Sequence, residues 1–159
     1  MSAIISSCGS YRYQLQREAR AMWPTRSTAL FIMLNPSTAD AELDDPTIRR
    51  CRSFADKWDC NGIVVANLYA LRATNPNELW THPDPIGPEN DDYLRDLSKE
   101  HETVVCAWGA NARLDRVDVV RKIFSGRLHR LMCLGVTKQG APRHPLYVRG
   151  DQQLMDWQP

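Results

Sequence analysis

The sequence predicts a three-layer α/β/α domain on a mostly parallel central sheet of four strands or slightly more. Three observations predict it. Short apolar runs recur at Ala29-Leu30-Phe31-Ile32-Met33-Leu34, Ile63-Val64-Val65-Ala66-Asn67-Leu68, Thr103-Val104-Val105-Cys106-Ala107-Trp108 and 129–134. Runs of that length read as strands buried on both faces. Helical patterns separate them, and such alternation favours a parallel sheet covered by helices. The unusual polar motifs sit at the carboxyl ends of these runs, where open α/β sheets bind ligands.

The elements follow in order. Cys8 to Arg20 begins as a strand or hairpin and then turns helical. The first long run stops at Asn35-Pro36, because proline lacks an N–H and fixes its own backbone. Asp44-Asp45-Pro46 starts a helix, with an acidic cap and proline at the first helical position. Ile48, Cys51, Phe54, Ala55 and Trp58 follow at helical spacing, and Asn61-Gly62 closes the helix. After the second run comes a long loop from Arg72 to about Pro88, a length that inside a compact domain often marks function. Asn90 to Lys99 reads as a helix with Tyr93, Leu94 and Leu97 on one side. Gly109 ends the third run, Asn111 to Ser125 reads as the next helix, and Gly135 ends the fourth run. No repeat, low-complexity tract or linker interrupts the chain, so residues 1–159 are expected to form one domain.

Composition narrows the function classes. The chain has 159 residues, enough to bury a core without metals or disulfides. No apolar run is long enough to cross a membrane. Met1 to Tyr13 lacks the basic-then-apolar order of a signal peptide. The five cysteines, Cys8, Cys51, Cys60, Cys106 and Cys133, form no CxxC pair. A reduced, cytoplasmic setting without zinc or an iron–sulfur cluster is expected. Net charge is +1, whereas proteins that grip DNA over a long footprint are usually more basic. Any nucleic-acid contact is therefore small and local, or the substrate is not a polymer. Arg113, Arg116, Arg121, Lys122, Arg127 and Arg130 cluster late in the chain; a solvated helix face is the common meaning of such a run.

Each motif has a functional and an ordinary reading. Asn35-Pro36-Ser37-Thr38-Ala39-Asp40 could hold a water or a sugar oxygen through the amide of Asn35, or could be a capped turn. Asn67 both donates and accepts, so it could read a base edge; otherwise it ties down the next loop. Tyr69 and Arg72 could stack on a ring or meet a phosphate, and Tyr69 could equally be core. Trp108-Gly109-Ala110-Asn111 could bring a helix N-terminus to an anion, or be a strand-to-helix turn with Asn111 as cap. Gly135 to Tyr147 is the strongest feature. It carries Lys138, Arg143, His144 and Tyr147, with Leu146 and Tyr147 forming a possible apolar wedge. Among acids, Asp40, Asp44 and Asp45, or Asp91 and Asp92, could bind a metal or act as a base, with Asp44-Asp45 favoured as a cap. No P-loop or dinucleotide fingerprint is present.

Together these motifs resemble the uracil-DNA glycosylase superfamily. More closely, the chain resembles the DUF1643 family of bacterial and phage proteins. That closer resemblance rests on Cys8-Gly9-Ser10-Tyr11-Arg12-Tyr13, Leu34-Asn35-Pro36-Ser37-Thr38-Ala39-Asp40, Asn67-Leu68-Tyr69-Ala70-Leu71-Arg72-Ala73-Thr74, Ala107-Trp108-Gly109 and Pro142-Arg143-His144-Pro145-Leu146-Tyr147. The glycosylase resemblance implies cleavage of the N-glycosidic bond of a damaged or modified base in DNA. The phage association points to phage defence or phage DNA modification. Asn35 would orient water and His144 would stabilise the departing base. Asn67 would read the base, with Tyr69 and Ser37 beside it, and Lys138, Arg143, Arg72, Leu146 and Tyr147 would contact DNA; Tyr11-Arg12-Tyr13 has no clear glycosylase counterpart, and Tyr13 is expected to line a pocket suited to a modified base. No metal or organic cofactor is implied, and a monomer is plausible though the sequence leaves the oligomeric state open. Two departures stand out. The His-Pro-Ser-Pro pattern is replaced by His144-Pro145-Leu146-Tyr147, and Asn35 cannot act as a general base. The alternatives are a non-catalytic binder of nucleotides or modified DNA, or an enzyme acting on a free nucleoside or nucleotide.

Overall fold

The computed structural model describes residues 2–19, 22–23, 26–37, 39 and 42–158. The chain is α/β, with a seven-stranded mixed sheet and three helices among those residues. The four apolar runs form its parallel centre as β3 (Ala29–Met33), β4 (Ile63–Asn67), β5 (Thr103–Cys106) and β6 (Arg130–Cys133). Strands β1 (Ser2–Ile5), β2 (Arg12–Arg17) and β7 (Met155–Asp156) extend it, in the order β1-β2-β4-β3-β5-β6-β7. The pairs β3–β4, β3–β5 and β5–β6 are parallel, while β1–β2, β2–β4 and β6–β7 are antiparallel. The sheet is thus larger and less parallel than expected. A hairpin adds to one edge and a short return strand to the other.

Helix α1 (Pro46–Lys57) follows β3, α2 (Asn90–Glu100) follows β4, and α3 (Leu114–Ile123) follows β5. Alternation along each strand sorts the core into two layers. Phe31, Met33, Ile63 and Val65 pack with Ile48, Cys51, Phe54 and Ala55 of α1. Leu30, Ile32, Val64 and Val104 pack with Leu94 and Leu97 of α2, with Val117 and Val120 of α3 and with Phe124, its C-cap. Truncating a fully buried ring such as Phe54 to alanine would cost about 3–5 kcal/mol. Cys106 and Cys133 are register partners and, like Cys51 and Cys60, are buried free thiols.

Three local expectations are corrected. No helix follows β2 in residues 8–19; the segment is the second half of a hairpin, its strand backbone bonded to both β1 and β4. Helix α3 starts at Leu114 rather than Asn111, because 107–113 runs along the sheet end in turn and extended conformations. Helix α1 ends at Lys57 with Trp58 as its C-cap, and the left-handed residue after it is Asp59 (φ 58°), not Asn61-Gly62. Gly62 has another reason to be glycine. At φ +93° a Cβ there would lie 2.1 Å from the Arg17 carbonyl oxygen, in the antiparallel β2–β4 pairing.

Gly140 makes the natural control, since it has φ +81° but open space around the position of a Cβ. Gly62→Ala should cost more than about 3 kcal/mol, or fail to fold, while Gly140→Ala should cost about 1 kcal/mol. Urea denaturation of the two variants checks this; equal losses would mean that the backbone clash at Gly62 relaxes.

Candidate functional site

The order β4-β3-β5 makes the chain leave β3 toward one face and β5 toward the other, since α1 and α3 lie on opposite layers. Loops that diverge in this way leave a crevice beyond the strand ends. A cavity of about 690 Å³ occupies this place. Its lining includes Asn35 after β3, Asn67 at the end of β4, Trp108-Gly109-Ala110-Asn111 after β5 and Thr137, Lys138, Gln139, Arg143, His144 and Tyr147 after β6.

Asn35 is held by its own amide. Its Nδ2 donates to the carbonyls of Ala73 (2.8 Å) and Pro36 (2.9 Å), which joins the loop after β3 to the loop after β4. Those bonds fix the amide orientation, and Oδ1 takes no hydrogen bond from the described residues. Asn35 therefore offers the cavity an acceptor. Asn67 is 1% exposed, and its Nδ2 is buried without a protein partner among the described residues. Its backbone is fixed from behind. Asn90 donates from Nδ2 to the carbonyls of Asn67 (3.1 Å) and Leu68 (3.2 Å), and buried Arg116 donates to the Leu68 carbonyl at 2.7 Å. A buried amide without a partner is costly, so Asn67 is suited to a ligand that completes its bonding.

His144 caps a 3-10 turn, Pro145–Tyr147, and its Nδ1 accepts from the Leu146 N–H at 3.2 Å. An acceptor Nδ1 leaves the neutral ring's proton on Nε2, which makes Nε2–H a donor. Burial lowers the His144 pKa, and the Asp45 charge offsets part of that shift. The loop is braced on two sides. Arg50 of α1 donates to the carbonyls of Pro145 (3.3 Å) and Val148 (2.6 Å), and the Gly109 N–H donates to the Pro142 carbonyl at 2.9 Å. A Cβ at Gly109, where φ is +77°, would lie 3.7 Å from the His144 Cβ, so these two loops touch closely. The hairpin 136–142 is tied by Thr137 N–H to Ala141 O (2.8 Å) and by the Trp157 indole to Gly140 O (3.1 Å).

The remaining expected site residues divide. Ser37 lines the cavity and donates from Oγ to Asp45 Oδ2 at 2.9 Å. Lys138 and Arg143 line it from exposed positions, with Arg143 Nε donating to the Val136 carbonyl at 3.0 Å. Tyr147 stands at the mouth, 78% exposed, its ring centroid 5.6 Å from that of His144. Leu146 is exposed but lies outside this lining, beside Arg49, Arg50 and Ser53 of α1. Tyr69 is core, edge-on to Trp80 at 5.4 Å, and is not part of the lining. Arg72 donates to the Gly9 carbonyl at 3.2 Å and anchors the hairpin turn instead of lining the cavity. Tyr13 is also absent from the lining. It stacks on Tyr93 of α2 at 4.8 Å, and burial, followed by nearby Glu89, pushes its hydroxyl up to about 12.

A β-bulge explains Tyr13. Ile4 pairs with Gln14 and Ile5 with Arg12, so Tyr13 is the extra residue of β2. Bulges re-aim side chains. Arg12, buried and part of the cavity lining, takes the place expected of Tyr13 and donates to the Ala39 carbonyl. Asp45, which the sequence favours as a helix cap over a metal ligand or base, also lines the cavity. It is indeed the cap of α1, accepting from the Ile48 N–H at 2.8 Å. Asp40 lies outside the described residues. Asp91 pairs with Arg116 (2.6 Å) and Asp92 with Arg95 (2.7 Å), so these acids are structural. Among the described residues no group of three or more His, Cys, Asp or Glu side chains converges as metal ligands would. No helix there is long and apolar enough to cross a membrane.

Fold and site together define an α/β protein with a cavity at a topological switch point, lined by the amides of Asn35 and Asn67 and by a histidine. The chain belongs to the family described as a protein of unknown function, DUF1643, whose model matches residues 12–146. No curated protein and no solved structure matches it.

The His144 geometry sets a pH dependence. Its folded pKa lies below the ordinary 6.5, so as pH falls through 6.5 the unfolded chain takes the proton first. The ring's contribution to stability is present above pH 6.5 and is lost as pH falls toward the folded value. Nitrogen-15 NMR of labelled histidine at pH 7 should show the Nε2–H tautomer, with a titration midpoint below 6.5. An Nδ1–H signal would contradict the cap.

Proposed function

We propose that the protein hydrolyses the N-glycosidic bond of a damaged or modified base in DNA. The observation that carries this reading is the meeting of Asn35, Asn67 and His144, from the loop after β3, the end of β4 and the loop after β6, around one cavity. The distant resemblance to uracil-DNA glycosylases supports it, since it assigns those positions to water, base and leaving group. The fixed polarity of the groups also supports it. An acceptor oxygen on Asn35 suits a water, and an Nε2–H donor on His144 suits an oxygen or nitrogen gaining negative charge. Asn67 supplies the donor and acceptor that a base edge requires. The cavity, about 690 Å³, falls within the range for drug-sized ligands and favours a bulky modified base, or base with sugar, over a plain pyrimidine. Lys138 and Arg143 at the rim would meet phosphate, and exposed Tyr147 would stack where a base is displaced.

A second reading is a non-catalytic binder of a nucleotide or of modified DNA. The net charge of +1 favours it, as does the commitment of the Asn35 amide N–H groups to loop carbonyls.

Oligonucleotides carrying uracil, hydroxymethylated or glucosylated bases, followed by detection of abasic sites, separate the readings. Release is expected from at least one modified DNA, and Asn35→Ala and His144→Ala should each slow a single turnover by about 100-fold or more. Asn67→Ala should instead blur the choice among bases. Release that survives both substitutions would remove these roles, and tight binding without release on every substrate would establish the binder.

A further inference from the structure

Hydrolysis by this site leaves one chemical need unmet. An attacking water must lose a proton, and neither the Asn35 amide nor a histidine whose Nδ1 is already bonded to a backbone N–H can take it readily. The bond broken is the sugar C–N bond, whose electron pair departs with the base. The sugar carbon becomes cationic as that pair leaves, so the site also needs a negative charge on the sugar side.

Asp45 is the one carboxylate among the described residues that line the cavity. Its position is over-determined. Oδ1 accepts from the Ile48 N–H at 2.8 Å and fixes the start of α1, while Oδ2 accepts from Ser37 Oγ at 2.9 Å and fixes the loop after β3. A carboxylate has about four lone-pair sites, so these two bonds leave accepting capacity on both oxygens. It sits close enough to His144 for its charge to be felt by the ring. Pro46, the first residue of α1, follows it directly and fixes its own φ at the helix start. A rigid anion therefore shares the cavity with a neutral donor, the arrangement complementary to a sugar turning positive beside a base turning negative.

We infer that Asp45 is a catalytic residue of this site: it stabilises the cationic sugar and accepts the proton of the attacking water. The inference rests on the glycosylase reading. In the balanced step the C–N bond breaks with its electrons on the base, which the His144 Nε2–H stabilises. The water oxygen bonds to the sugar carbon, and one water proton passes to Asp45. Solvent then protonates the released base and takes the proton from Asp45.

Two oligonucleotide probes test the inference without knowledge of the base. One carries a pyrrolidine in place of the sugar, cationic at neutral pH; the other carries the neutral tetrahydrofuran. The wild-type protein should bind the cationic probe at least about tenfold more tightly, and Asp45→Asn should abolish that preference. Asparagine keeps the cap, and Asp45→Ser, also a good cap, provides a second variant should the first fold poorly. Equal binding of the probes by the wild type, binding of neither, or a preference retained in both variants would overturn the role of Asp45. The glycosylase reading fails separately. A charge preference lost in Asp45→Asn, with no base released from any DNA, would leave a cation-selective cavity without that reaction. Base release without a charge preference would keep the reaction and discard Asp45.

Discussion

The divergence of the chain on either side of β3 is the constraint on which this protein depends. β3 lies between β4 and β5, and its own exit leads to α1 on one layer, while the exit of β5 leads to α3 on the other. Two loops that part in this way cannot close over the strand ends, so a cavity must either remain or be filled by a third loop. The segment after β6 fills it only in part. Its turn rests on α1 through Arg50 and on the loop after β5 through the Gly109 N–H, and His144 enters between them. The site follows from strand order first and from side chains second.

The loops around the cavity are irregular, so their backbone groups need partners that strands would otherwise supply. Buried polar side chains provide them. Arg17, fully buried, donates to Asp44 at 2.6 Å and to the carbonyls of Gln16 (3.0 Å) and Leu43 (3.3 Å). Burial alone would raise the Asp44 carboxyl, but hydrogen bonds from Arg17 and Arg52 hold it below its usual range. Arg116 and Asn90 do the same for the end of β4. Removing one partner from such a group leaves a buried charge or dipole unpaired and costs more than a surface ion pair contributes. Thus Arg12 and Arg17 of β2 and Arg116 of α3 act as loop ties, bonding carbonyls or a carboxylate of the loops around the cavity.

How far the site was legible follows from how locally each residue is determined. Asn35, Asn67 and Trp108-Gly109 were readable because each ends an apolar run, and the end of a central strand has one destination. His144 was readable because Gly135, Gly140, Pro142 and Pro145 isolate it in a shaped loop. Tyr13 was misplaced because a bulge shifts the alternation of β2, and one extra residue is invisible without the pairing of β1. Tyr69 and Arg72 were drawn in by their sequence distance from Asn67, yet β4 ends before them and the chain turns into the core and toward the hairpin. Asp45 was read rightly as a cap and incompletely as a site residue. Its second role depends on Ser37 returning across eight positions, which no local pattern encodes. The return strand β7 has two residues, too few for any periodicity.

Three polar groups of the cavity, Asn35, His144 and one oxygen of Asp45, have their polarity set by a backbone partner rather than by another titrating side chain. Carbonyls take the Asn35 amide hydrogens, and a backbone N–H takes the His144 Nδ1. Another backbone N–H takes one oxygen of Asp45. Backbone dipoles do not change with pH, so the acceptor at Asn35 and the donor at His144 are maintained without proton relays between them. Groups arranged in this way need not reorganise when charge develops, which is the condition under which electrostatic stabilisation is strongest. It also limits what the site can accept. A ligand must present a donor toward Asn35 and an acceptor toward His144, and an apolar analogue of the right shape would strand both groups. Discrimination by unpaired polar groups is steeper than discrimination by size. Under the proposed reading the roomy cavity and its polar groups are complementary: volume would admit a large modified base, and the amides and histidine would decide which edge of it is held.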